Sequence, residues 1–151
     1  MRMLDAMAML RETGGELVYN FALSMLAEAY LMAREPEKGL AAISEAMPGI
    51  ETSGQHMHEA VLWRLQGELL VLRGDGDAEA ERSFQRALQV ADRQQARSWQ
   101  LRAATSVAGF LRDRGRHNEA RSHLAPAVSS MTEGFETADF KKASELLKVL
   151  N

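Results

Sequence analysis

Apolar and polar residues recur with the period of an amphipathic helix along most of this chain, most clearly from Leu62 to Ala91. Two helical patterns are joined there by a short acidic turn. Gly67 lies inside the first pattern, and Ala80, Phe84 and Ala87 mark one face of the second. Because small residues let two helices approach closely, the stretch predicts a packed helix pair in which Phe84 fills the space beside Gly67.

The same markers recur in three consecutive segments. Small residues of the first helices are separated by 40 and 41 residues: Ala27, Gly67 and Ala108. Triplets in the second helices keep a spacing of four and then three: Gly39, Ile43, Ala46; Ala80, Phe84, Ala87; Ala120, Leu124, Ala127. A generic helical bundle also carries Ala and Leu stripes, but it has no reason to repeat a triplet at a fixed phase. The spacing therefore favours tetratricopeptide-like (TPR-like) repeats whose helices are longer than usual.

These patterns predict an all-α fold, a right-handed TPR-like α-solenoid of antiparallel helix pairs, in a single domain of residues 1–151. The predicted parts are a half-repeat at 1–15, repeats at about 16–54, 55–96 and 97–131, and a C-terminal capping helix at about 137–151. Pro48 and Gly49 are expected to end the second helix of the first repeat, before a polar turn at 52–54. The next helix is expected from Gln55 to Arg73.

Composition narrows the class of protein. Hydrophobic residues make up 46% and charged residues 26% of 151 residues, which is typical of a globular domain that buries a core. The net charge of −3 gives no reason to expect nucleic acid as a partner. No cysteine is present, so disulfides and thiolate metal sites are excluded. No apolar run is long enough for a signal peptide or a membrane span, and we expect a cytoplasmic protein.

Candidate residues for catalysis or metal binding are sparse. A zinc-binding pair on a helix needs a spacing of four residues, which neither histidine pair has: His56 with His58, and His117 with His123. The acidic turn at 74–77 lacks the remaining ligands of a calcium loop, and no Gly-x-x-x-x-Gly-Lys phosphate loop is present. We therefore expect no catalytic residue, no bound metal, no cofactor, and a chain that is not itself an enzyme.

Polar residues of the first helices are the candidates for binding a partner. Alignment of the repeats places Ser24, Arg64 and Thr105 at one groove position, and Glu28, Glu68 and Gly109 at another. The candidate groove or partner-binding residues are Ser24, Glu28, Arg64, Glu68, Arg102 and Thr105. The alternative interpretation is a ladder of ion pairs that fixes the stacking of the repeats. We expect Glu68 and Arg102 to pair between neighbouring first helices.

A cluster of arginines stands apart from the groove. Seven arginines lie between Arg93 and Arg121, and Arg112, Arg114 and Arg116 fall at one turn. The cluster is either a docking patch for an anion or a partner, or a solvated edge of a repeat. A regulatory arm that uses this turn on DNA is the weakest alternative.

Several segments resemble the C-terminal TPR-like region of large bacterial signalling proteins. They are RSWQLRAATS at 97–106, TEGFET at 132–137, LAP at 124–126, LAEAY at 26–30 and RLQGELL at 64–70. Proteins of that kind join an adenylate/guanylate cyclase domain, or a transcription-regulator domain, to an ATPase module and a helical-repeat tail. The resemblance implies that any cyclase or ATPase activity lies in domains outside this chain.

The expected function is a non-catalytic scaffold for protein–protein or interdomain contact. The alternative is a module that senses a small molecule in the concave groove. A homodimer through the N-terminal helix is also expected, because the half-repeat would expose its apolar side chains: Met3, Leu4, Met7 and Leu10. No membrane contact is expected.

Overall fold

The computed structural model describes residues 2–13, 15–53 and 56–151. The described residues form eight α-helices and one short 3-10 helix, with no β-strand among them, which confirms the all-α prediction. The helices are α1 Arg2–Glu12, α2 Glu16–Met32, α3 Pro36–Ser53, the 3-10 helix His56–His58, α4 Glu59–Arg73, α5 Asp77–Arg93, α6 Arg97–Asp113, α7 His117–Ser129 and α8 Ala138–Leu150.

The helices pack in the order of the chain. Each of α2 to α8 contacts its sequence neighbours, so α3 lies against α2 and α4, α5 against α4 and α6, and α7 against α6 and α8. The helices α2, α4, α6 and α8 also contact one another in series, and we refer to them as the even-helix row. This row positions the candidate site described below.

The first helix of each pair ends on a residue in the left-handed conformation. These residues are Arg34, Gly74 and Gly115, with φ angles of 60°, 92° and 76°. They are separated by 40 and 41 residues, the same interval as the small residues of the first helices. In the first and third pairs a further backbone hydrogen bond closes the helix end. The N–H of Glu35 donates to the carbonyl of Tyr30, and the N–H of Arg116 donates to the carbonyl of Leu111, both at 2.9 Å. The helix ends thus repeat in phase with the packing markers.

The predicted contact between Phe84 and Gly67 is present in the core. Phe84 is 1% exposed, and a Cβ placed on Gly67 would lie 2.5 Å from its ring. Ala80 and Ala87 are also fully buried. The ring of Phe110 lies 5.5 Å from that of Phe84, so this contact joins α4, α5 and α6 in one core.

The predicted end of α3 at Pro48 and Gly49 is wrong. The helix continues through both residues to Ser53. Ile50 is 4% exposed and extends the buried stripe of Ile43 and Ala46, so its burial favours continuing the helix past the proline. The expected polar turn is therefore helical at residues 52 and 53, and Gly54 lies outside the described residues.

The start of α4 also differs from the prediction. The helix begins at Glu59, after the 3-10 helix His56–His58, rather than at Gln55, which lies outside the described residues. The side chain of Glu59 is within reach of His56 Nδ1, at 3.2 Å, and of Trp63 Nε1, at 3.4 Å. These contacts hold the first turn of α4 beside the 3-10 helix.

The N-terminal helix is less exposed than the sequence suggested. Met7 is 5% exposed and belongs to the core cluster around Leu23 and Ile43, which corrects its predicted place on an open face. The reason is that α1 packs against α2 and turns Met7 inward. Leu4 is exposed and Leu10 is partly buried; the predicted exposure of Met3 concerns a side chain outside the described set.

Candidate functional site

An ion cluster crosses the even-helix row. Arg102 Nη2 on α6 lies 3.1 Å from Glu28 Oε1 on α2, and its Nε lies 3.6 Å from Asp139 Oδ2 on α8. Between them on α4, Arg64 donates to Glu68 Oε1 at 3.2 Å and lies 3.7 Å from Glu28. We call these five residues the groove ion cluster. It brings together four of the predicted site residues and draws in Asp139, which the sequence analysis did not select.

The predicted pairing of Glu68 with Arg102 is wrong. Glu68 accepts hydrogen bonds from Arg64 and from the hydroxyl of Ser106, one turn beyond Arg102 on α6. Arg102 instead reaches past α4 to Glu28, across 74 residues of sequence. The two long side chains therefore meet across α4, which contacts both of their helices. The pairs therefore correspond to the stacking ladder that was the alternative interpretation.

The two hydroxyl candidates are satisfied within their own helices. Ser24 donates to the carbonyl of Phe21 at 2.7 Å, and Thr105 donates to the carbonyl of Leu101 at 2.7 Å. Both residues are buried. Both hydroxyl groups are thus bonded within their own helices, and of the two residues only Thr105 also lines the cleft described next.

An open cleft adjoins the ion cluster, toward the C-terminal ends of α4, α6 and α8. Its volume is about 470 Å³, and we call it the Gly109 cleft. Apolar side chains form much of its lining: Val71, Phe84, Phe110, Leu146 and Val149. Charged groups lie around it: Glu68, Arg112, Asp113, Lys142 and Glu145. A Cβ placed on Gly109 would meet nothing within 4 Å, so the glycine leaves this space open.

Most charges around the Gly109 cleft are compensated by the protein itself. Asp113 lies 2.9 Å from Arg112, and Glu145 lies 3.4 Å from Lys148. Glu68 is paired with Arg64 in the groove ion cluster. For Lys142 the described part of the chain offers no ion pair. Lys142 is therefore the charged side chain of the cleft that the described residues leave without an oppositely charged partner.

A row of rings lies on the other side of the ion cluster, near the N-terminal ends of the even helices. The ring of His58 lies 5.0 Å from Phe21 and 6.5 Å from Trp99. Burial lowers the pKa of His58 from its ordinary value. Exposed Met25 lies one turn after Phe21 on α2. The sequence does not predict this row, because no periodicity links rings on three different helices.

The arginine turn is held by intramolecular contacts. Arg114 donates to both carboxylate oxygens of Asp77, at 2.8 and 2.5 Å, and its guanidinium lies 3.8 Å from the ring centre of Phe110. Arg116 pairs with Glu81 through two bonds of 2.9 Å and with Glu119 at 2.7 Å. Since these carboxylates neutralise the cluster, its cationic charge is not left free for an anionic partner.

Acid is expected to weaken the contact of Asp77 with Arg114. The hydrogen bonds from Arg114 lower the pKa of Asp77, so the contact contributes stability above the ordinary carboxylate pKa and loses it as the pH falls through the lowered value. Asp77→Asn should therefore be less stable than the wild type at neutral pH, with a difference that shrinks in acid. Urea unfolding at several pH values measures it.

The control for this experiment is Glu136→Gln. Glu136 is exposed, and in the described structure it takes part in no ion pair. A difference between wild type and Asp77→Asn that stays constant into strong acid would contradict the assignment of the contact.

The part of the chain that the structure describes contains no candidate metal-binding site. No group of three or more His, Asp or Glu side chains there has the arrangement to hold a metal ion. None of the described helices combines the length and apolar character needed to cross a membrane. The chain matches no protein-family model, no curated protein and no solved structure.

Proposed function

We propose that the chain is a right-handed TPR-like α-solenoid that serves as a non-catalytic scaffold for protein–protein or interdomain contact. Two features support the solenoid. Helices pack in chain order with a second series of contacts along the even-helix row, and left-handed helix ends recur at 34, 74 and 115. A repeat architecture produces both features, because each unit buries its apolar face against the next one.

The Gly109 cleft is the observation that carries the scaffold proposal. It is an apolar-lined depression with charged surroundings, which is the usual anatomy of a protein-binding patch. The groove ion cluster lies beside it and ties α2, α4, α6 and α8 together. Such ties support a preformed surface, so little ordering would be needed when a partner binds.

Site-specific photo-crosslinking in cells tests the scaffold. A benzophenone amino acid is introduced at Val149, on the exposed rim of the cleft, or at Arg82, on the exposed surface of α5. We expect a defined protein adduct from position 149 that weakens when Gly109→Leu fills the cleft, and none from position 82. Adducts of equal yield at both positions, or none at either, would contradict the proposal.

The resemblance supports a more specific proposal for the parent protein. The chain would be the tail of a cytoplasmic bacterial signalling protein in which a cyclase or transcription-regulator domain and an ATPase module lie elsewhere. The purified chain is then expected to show no nucleotide cyclase or ATPase turnover and to need no cofactor. Nucleic acid and membranes are not proposed as partners. Turnover that a point substitution within these 151 residues abolishes would overturn this part of the proposal.

A homodimer through the N-terminal helices is a secondary proposal. Leu4 and Met9 on α1 and Leu17 and Val18 on α2 remain exposed, and exposed apolar side chains favour association. Because Met7 is buried, a charge at Leu4 or Leu17 is the cleaner test. Light scattering should show a dimer that Leu17→Glu dissociates; a wild-type monomer at tens of micromolar would exclude it.

A small-molecule sensor is the alternative function. The volume of the Gly109 cleft, about 470 Å³, falls within the range of small-ligand pockets. Mass spectrometry of compounds released from the folded protein tests this alternative. A stoichiometric compound that is lost from Gly109→Leu would favour the sensor over the scaffold.

A further inference from the structure

Gly109 lies inside a helix, as Gly39 and Gly67 do, but its surroundings differ from theirs. A Cβ on Gly39 would lie 2.5 Å from Leu69, and one on Gly67 would lie 2.5 Å from Phe84. In those places the glycine permits close packing of two helices. Gly109 permits no such contact, since nothing lies within 4 Å of its added Cβ.

A glycine inside a helix reduces helix stability relative to alanine. At Gly39 and Gly67 helix packing offsets that loss, whereas at Gly109 the described chain contains no compensating contact. Gly109 lies in the middle of α6 and opens into the cleft. The space it leaves is therefore free for a group that this chain does not supply.

The charge around the cleft indicates the chemistry of that group. Lys142 faces the cleft without an ion pair among the described residues, while Asp113 and Glu145 are paired at 2.9 and 3.4 Å. An acidic group beside the cleft would complement Lys142.

We propose that the Gly109 cleft binds a peptide segment that places an apolar side chain over Gly109 and a carboxylate on Lys142. The inference rests on the proposed scaffold function and specifies the chemistry of its partner. Val71, Phe110 and Leu146 provide apolar surface for a leucine- or phenylalanine-sized side chain. Removing such a side chain from water supplies most of the affinity, and the exposed ion pair mainly selects acidic over basic segments.

The probe is a phage-displayed library of random twelve-residue peptides, selected on the purified chain. Enriched peptides are expected to combine a large apolar residue with a neighbouring Asp or Glu. Synthetic versions, labelled with a fluorophore, are then titrated with the wild type and with variants. Gly109→Leu should weaken binding about tenfold or more, because it occupies the anchor site. Lys142→Glu should weaken it about two- to fivefold.

Two controls separate binding from folding. Lys141→Glu makes the same charge change on the adjacent residue of α8, which does not line the cleft, and it should leave binding unchanged. Gly109→Ala should raise the urea midpoint, because alanine favours the helix and meets no neighbour, while binding still weakens. If Gly109 affected binding only through folding, a substitution that raises stability would not weaken binding.

The possible failures differ in meaning. If enriched peptides bind Gly109→Leu as tightly as the wild type, the cleft is not their site, and the inference fails while the scaffold function stands. If no peptide is enriched, the inference fails, and the scaffold function is decided separately by the crosslinking at position 149. Lys142 is not the group that binds the carboxylate if the enriched peptides are basic. The same follows if Lys141→Glu and Lys142→Glu weaken peptide binding equally. If free N-acetylleucine displaces the labelled peptide at an equal concentration, the cleft binds a small molecule rather than a peptide segment, and the inference fails.

Discussion

Replacing Phe84 with alanine is expected to lower the free energy of unfolding by about 3–5 kcal/mol. The ring is 1% exposed and lies against Gly67 and Phe110, at the junction of α4, α5 and α6. Its removal deletes a large apolar side chain and leaves a cavity, because the surrounding helix backbones relax only in part. Denaturation in urea, monitored by circular dichroism, measures the loss.

The matched control for this substitution is Phe135→Ala. Phe135 is 52% exposed and makes an edge contact with Phe140 in the loop before α8, so its loss should cost much less. A loss at Phe84 below about 1 kcal/mol, or one equal to that at Phe135, would show that this contact is not central to the core.

Adding a single methyl group at Gly67 is expected to destabilise the protein by about 1–3 kcal/mol. Glycine to alanine inside a helix ordinarily stabilises, but here the new Cβ would lie 2.5 to 2.9 Å from three atoms of the Phe84 ring. The ring is 1% exposed and packed against Phe110, so admitting the methyl group would displace it from its packed position. Gly109→Ala, on the neighbouring helix of the same row, is the matched control and should be stabilising.

The same substitution in a Phe84→Leu background identifies the cause of the destabilisation by Gly67→Ala. In Phe84→Leu, the smaller side chain no longer meets the added methyl, so Gly67→Ala should cost less than it does with phenylalanine present. Unfolding free energies of the four proteins complete the cycle. Costs that simply add would mean that the penalty at Gly67 arises elsewhere than at the Phe84 ring.

The helix pairs could be predicted because their markers depend on local spacing. Gly67, Ala80 and Phe84 each lie at a phase of the helix that the sequence reveals directly, and they are buried as expected. Such features depend on one or two helices at a time, which a pattern along the chain can describe.

Features that depend on several helices at once were missed. Pro48 indicates a helix end by itself, yet burial of Ile50 against the core favours its continuation. Arg102 pairs with Glu28 across α4, a contact between helices 74 residues apart that spacing within one or two helices does not predict. Repeat alignment placed Gly109 level with Glu28 and Glu68. Because glycine has no side chain, its presence at that groove position was the sequence feature from which the cleft could have been predicted.

The contact of α2 with α6 across α4, which joins the groove ion cluster, is tested most directly by chemical crosslinking between positions 28 and 102. The chain has no cysteine, so the double variant Glu28→Cys, Arg102→Cys reacts with a short bifunctional maleimide at these positions alone. The ion pair of Glu28 with Arg102, 3.1 Å between Oε1 and Nη2, holds both positions on the same side of α4, so a linker that spans the gap left by the shorter cysteine side chains should form an intramolecular crosslink in the folded protein. It should be much weaker in urea and absent from either single variant. A folded double variant that gives no more crosslink than the urea-unfolded protein would contradict this contact across the even-helix row.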